Sequence, residues 1–168
     1  MRLHAASLLL LLLLLLLLAA VMAASAAPAR AEFDIIGPAE VIDGNVISIA
    51  GREVRVFGID APELEQACTY PDGESWPCGS VASAVMSYLV ANQTLFCKQH
   101  GVDAHGRAAV ICDAGGTDLG RAMVHYGVAL AMRPYGEIYF AAEADAKKAR
   151  RGIWNGTFVE PWEWRDRH

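Results

Sequence analysis

Apolar positions along this chain follow different rhythms in different stretches. Residues 8–18 are eleven consecutive leucines, apolar on every side. From residue 39 the apolar residues alternate or recur at helical spacing instead. Residues 39–42 predict a short strand, Asp43-Gly44-Asn45 a tight turn that tolerates positive φ, and 46–49 the returning strand. Ala50-Gly51 turns again, and 53–59, rich in Val and Ile, predicts a third strand. Residues 61–79 hold Pro62, Pro71, Gly73 and Pro77 and read as a loop. Ser80 then reads as an N-cap for a helix over 81–91, with Val81, Val85, Tyr88 and Leu89 on one side. Residues 95–99 and 107–113 predict two strands joined by a turn. Thr117 is expected to cap a helix over 118–126 that Gly127 ends. Residues 128–132 are apolar and short. Residues 137–151 predict a third helix, basic in its last turn as the dipole favours, with Gly152 as its stop.

The order β-β-β-α-β-β-α-α, with short antiparallel strands, points to an α+β fold: a small closed barrel with helices at its side. The leucine run changes the picture at one end only. The first 31 residues hold 25 apolar side chains, and the remaining 137 are roughly 48% apolar, ordinary for a globular domain. Arg2 and His4, the leucines and the small residues after them have the three parts of a secretory signal. Of two A-x-A sites, 24–26 and 29–31, the second is favoured because Glu32 opens a polar segment. This divides the chain into a signal peptide, 1–31, and one domain, 32–168. An uncleaved membrane anchor is the competing reading, but the apolar run is slightly short for a span. Localisation is expected to be periplasmic or secreted, with no stable membrane association after cleavage and a monomeric chain.

Export gives the cysteines a meaning. Cys68, Cys78, Cys97 and Cys112 are an even set in an exported chain, which reads as disulfides. Of three possible pairings, Cys68–Cys78 and Cys97–Cys112 each close a short loop. There is no C-x-x-C, and no His stands at zinc spacing. Net charge is −5 for the whole chain and −7 after loss of Arg2 and Arg30, 12 basic against 19 acidic. Phosphate chemistry would therefore depend on a few placed arginines and not on a global field. Lys147, Lys148, Arg150 and Arg151 read as a helix-end charge match. Trp154, Trp162 and Trp164 are expected to pack the C-terminal segment against the barrel.

Three strings can carry chemistry: Ile42-Asp43-Gly44-Asn45, Arg55 through Glu63, and His105-Gly106-Arg107. Asp60 and Glu63 stand around a proline at a strand end, a placement suited to a hard cation. A carboxylate beside a phosphate-binding arginine can activate water. Two arginines converging on one phosphate, Arg55 and Arg107, would stabilise a phosphoryl-transfer transition state.

Together, V-I-D-G, R-x-x-G-I-D-A-P-E, G-R and the later R-R-G-I-W resemble the staphylococcal-nuclease-like, or thermonuclease-like, family, in its order and spacing from about residue 39 to 154. The resemblance implies an OB-fold, a five-stranded barrel with three helices. It implies a Ca²⁺-dependent phosphodiesterase acting on DNA or RNA, cutting the P–O5′ bond. Arg55 and Arg107 match its phosphate-binding arginines, and Glu63 its general base. Asp60 and the Ala61 carbonyl match calcium ligands, and Tyr135 one of two nucleotide-contacting tyrosines. Asn45 stands where the family has an Asp that binds calcium, Val46 where Thr is usual, Ala104-His105 in place of Lys-Tyr, and Arg133 in place of the second tyrosine. A neutral ligand at 45 weakens a calcium site. Hence the alternative reading is a weakened or inactive OB-fold module that binds nucleic acid or another ligand.

Overall fold

The computed structural model describes residues 34–135 and 137–168. The expected signal peptide therefore lies outside the described residues. Among the described residues, eleven strands and four α-helices follow one another from Ile35 to Arg165.

The first hairpin shows why these residues pair. Strands β3 (Val46–Ile49) and β4 (Arg52–Val56) are rich in β-branched residues and run antiparallel, with Ile49 opposite Arg52. Ala50 and Gly51 both take positive φ, the mirror-image turn that matches strand twist. The expected turn at Asp43-Gly44-Asn45 is built differently. Gly44 is not at positive φ; instead the Asp43 carboxylate accepts the N–H groups of Asn45 and Val46, at 2.6 and 2.8 Å. The glycine is needed for space, since a Cβ there would sit 2.7 Å from that of Ala61.

Strands β1 (Ile35–Gly37) and β2 (Ala39–Val41) are consecutive stretches broken at Pro38. The long strands are β8 (Leu95–Val102) and β9 (Ala108–Ala114). The main sheet runs β1-β8-β9-β4-β3-β2, with β10 (Thr117–Asp118) on β9. Only β4 and β9 are parallel. The result is an α+β, OB-like fold. The expected closed five-stranded barrel is replaced by a larger mixed sheet whose two ends are neighbouring pieces of one chain. Proline is tolerated between them because it interrupts no central ladder.

Helix α1 (Cys78–Val90) starts earlier than expected, with Pro77 and not Ser80 at its N-cap. Helix α2 (Leu119–His125) is capped by Asp118, not Thr117: the carboxylate accepts Arg121 N–H at 2.9 Å. Helix α3 (Phe140–Lys148) is shorter than the expected 137–151. A fourth, short helix, α4 (Pro161–Arg165), was not expected. The core gathers Ile47, Ile49, Val54, Val110 and Leu95 of the sheet against Met86 and Met123 of the helices.

Both expected disulfides are present, Cys68–Cys78 and Cys97–Cys112. Cys97 lies directly opposite Cys112 in the β8–β9 ladder. The other closes the loop that carries β6 (Cys68–Thr69) and β7 (Ser75–Trp76). Cys68, Cys78, Leu130 and Ile153 form a second small core, on which Trp76, Trp154 and Phe158 pack. Trp154 thus does pack the C-terminal segment. Trp162 is 39% exposed, and Trp164 stacks on His168 at 4.1 Å.

Candidate active site

Strand β4 delivers Arg55 to the middle of the sheet, opposite Val46 on one side and Ala109 on the other. The chain turns at Gly58 and forms β5 (Ile59–Asp60), which pairs with β11 (Leu130–Ala131). β11 is itself tethered, because Ala131 N–H donates to the buried Glu143 carboxylate at 3.1 Å. Asp60 is consequently fixed at the end of a short ladder, with its side chain fully buried.

Glu63 follows in the turn that leads into the disulfide loop. Its backbone is clamped to Gln66 in both directions, by Glu63 N–H to Oε1 at 3.1 Å and Gln66 N–H to the Glu63 carbonyl at 2.7 Å. Helix α1 presses on the same turn, and a Cβ at Gly79 would collide with the Glu63 carbonyl. Arg107 stands just before β9. Asp103 holds it twice, accepting Nε–H at 2.8 Å and the backbone N–H at 2.9 Å. Burial opposes ionisation of Asp103, but the hydrogen bonds from Arg107 and His105 and the Arg107 charge outweigh it and lower its pKa.

These elements converge on one cavity of about 390 Å³. Arg55, Glu63, Arg107, Tyr135 and Asn45 all line it. Tyr135 sits on a 3₁₀ turn, Arg133–Tyr135, with its ring 4.8 Å from that of Phe57. His105 and Ala104 also face the cavity, whereas Arg133 lines a different pocket. Asp60 and Ala61 lie behind the wall, buried.

The donors expected to hold calcium are engaged otherwise. Asn45 Oδ1 accepts the Ala61 N–H at 2.8 Å, and Asn45 Nδ2 donates to the Ala61 carbonyl at 3.1 Å. Asp60 Oδ1 accepts Arg55 Nη2 at 3.0 Å and Arg165 Nη1 at 3.1 Å; Oδ2 accepts Arg165 Nη2 at 2.7 Å. Arg165 Nη1 also donates to Glu63 Oε1. Ca²⁺ takes about 6–8 oxygen ligands. Here the two expected neutral donors satisfy each other and the carboxylate is gripped by two guanidiniums. The arrangement does not fit a divalent ion. Among the described residues, no three His, Cys, Asp or Glu side chains are grouped to hold a metal.

A family profile described as staphylococcal nuclease homologue matches residues 53–156, more than half of the chain. The chain belongs to that family. The succinoglycan biosynthesis protein ExoI of Rhizobium meliloti (strain 1021) is 37% identical over 129 residues, covering 75% of this chain and 68% of that protein. The family match takes in Arg55, Asp60, Glu63 and Arg107 and ends before Arg165.

Arg165 is the residue that sequence reasoning missed. It arrives from α4, 105 positions after Asp60. No local pattern marks it: W-E-W-R-D-R-H is a short polar and aromatic tail with no motif spacing. Gln66 was missed too. A buried glutamine is the signal that could have found it, but burial is not written in the loop's composition.

Proposed function

We propose that this protein binds the phosphodiester backbone of nucleic acid and hydrolyses it. The observation that carries this is the meeting of Arg55, Arg107, Glu63 and Tyr135 in one cavity. Arg55 lies in β4 and Arg107 immediately before β9, its parallel partner, so the sheet sets their separation before substrate arrives. Preorganised cations aimed at one phosphate stabilise the charge that develops on its oxygens. Arg165 takes Glu63 Oε1; the other carboxylate oxygen is the one we assign to the attacking water. Water adds to phosphorus, its proton passes to Glu63, and the bond to the leaving sugar oxygen breaks, that oxygen taking a proton from solvent. Tyr135 offers a ring for the adjoining nucleotide. We also assign the protein to the periplasm or the medium, since a leucine-rich leader and two disulfides suit an exported chain.

A second reading is phosphate-backbone binding without hydrolysis. Arg165 favours it, because its guanidinium already occupies one oxygen of the Glu63 carboxylate. The deciding measurement is degradation of single-stranded DNA and RNA by the oxidised protein. Hydrolysis by the unchanged protein, with losses of roughly 10²–10³-fold in Arg55→Ala and Arg107→Ala, is expected. Retention of nucleic acid with no cleavage would select the second reading. Full activity in both variants would remove the site.

A further inference from the structure

Asp60 is the most enclosed charge of the site, and a buried carboxylate has to be compensated. Two guanidiniums do so. Arg55 belongs to the preceding strand, β4, but Arg165 comes from the C-terminal tail and grips both Asp60 oxygens with its fork. The same guanidinium reaches Glu63. Asp60 and Glu63 are thus balanced by Arg55 and Arg165, charge for charge. A divalent ion added to this cluster would leave two uncompensated positive charges at close range.

The cavity wall depends on the same arginine. It carries Asp43, Glu63 and Asp103 against Arg55, Arg107 and Arg165, with the Asp60 carboxylate buried behind it, four carboxylates to three guanidiniums. Without Arg165 the excess of carboxylates doubles, an environment that repels an anion more strongly.

Nor is Arg165 a stray surface side chain. Thr69 and Thr157 exchange two backbone hydrogen bonds, each 2.9 Å, across the disulfide loop. Gln66 Nε2, from the turn that holds Glu63, donates to the Val159 carbonyl at 2.6 Å. Pro161 is buried at the start of α4, and four residues later the helix presents Arg165 to the carboxylates. An arginine guanidinium is not deprotonated in proteins, so this cation is permanent.

We propose that Arg165 is the resident cation of this site: its guanidinium takes the role expected of a divalent metal at Asp60 and Glu63, and the cavity accepts a phosphate group without metal. The phosphate half of this proposal rests on the proposed function; the cation half does not.

The test uses the full oxidised chain, Arg165→Ala and Arg165→Lys. Thermal unfolding is measured in EDTA and in millimolar CaCl₂. The unchanged protein should melt within about 1 °C in both, because a ligand stabilises only a state it binds. Arg165→Ala should melt several degrees lower in EDTA and recover in part with Ca²⁺, since its carboxylates are then uncompensated. Arg165→Lys, which keeps the charge, should show no calcium response. If Arg165→Ala does not fold, Arg165→Gln carries the same contrast. A nucleoside 3′,5′-bisphosphate serves as the anion probe in EDTA, and Arg165→Ala should bind it at least tenfold more weakly. Saturable stabilisation of the unchanged protein by Ca²⁺ would overturn the proposal. So would tighter bisphosphate binding by Arg165→Ala, which would make the arginine a plug. So would an Arg165→Ala protein with neither a calcium response nor a loss of probe affinity. If the calcium contrast appears but no protein binds the bisphosphate, the proposed function fails and the cation role stands.

Discussion

Asn45 uses both ends of its amide on one peptide unit, that of Ala61. Restoring the expected carboxylate by Asn45→Asp would keep the acceptor for the Ala61 N–H. It would also set a second oxygen against the Ala61 carbonyl, where an N–H₂ donor now stands. The expected outcome is a loss of about 1–3 kcal/mol, the cost of an unmade buried hydrogen bond. Urea unfolding should show a lower midpoint with an unchanged slope. Asp103 gives a second prediction. Its folded-state pKa lies below the ordinary 3.8, through its bonds to Arg107 and His105 acting against burial. The ionised clamp on Arg107 therefore stabilises fully above 3.8 and fades as pH falls through the lower folded-state value. Stability of the native protein relative to Asp103→Asn, followed by acid titration, should be level at neutral pH and shrink only below the ordinary carboxylate range.

Local pairings were legible at the scale of elements. The β3–β4 hairpin follows from alternating β-branched residues and a two-residue turn, all within a dozen positions. Arg55, Glu63 and Arg107 were legible through the motifs around them, and the cavity gathers all three. What escaped is non-local. β5 and β11 are two residues each, and neither would be a strand without the other, 70 positions away by register. Asp118 displaced Thr117 as the cap because its carboxylate also accepts the buried Tyr139 hydroxyl at 3.0 Å, a tertiary bond. Burial and the neighbouring Asp118 charge push the Tyr139 pKa up, which keeps this hydroxyl a donor. Cys97–Cys112 ties the β8–β9 ladder at one rung, so a slip of one residue is barred and Arg107 keeps its place before β9. Replacing both cysteines by Ala should cost about 3 kcal/mol, by the loop-entropy relation for a 15-residue separation. Chemical denaturation of the double variant against the oxidised protein measures it.

Across the whole molecule, the site depends on a tail that the family motifs do not reach. Gln66 links the two: its side chain holds Glu63 by the oxygen and the tail, at the Val159 carbonyl, by the nitrogen. Such a link cannot be read from the sequence, because its partners are 93 positions apart and join only after the sheet and the disulfide loop are in place. The tail arginine also differs in kind from a metal. It is a ligand on a leash, present at one copy per site, with an effective concentration in the millimolar range typical of short tethers. A free cation competing for Asp60 must displace it first. If the docked tail outweighs the released one by 99 to 1, the apparent affinity of any competitor falls about 100-fold. Dilution does not empty such a site, and a chelator has nothing to remove. Its occupancy is set when the chain folds and does not follow the mineral content of the surroundings.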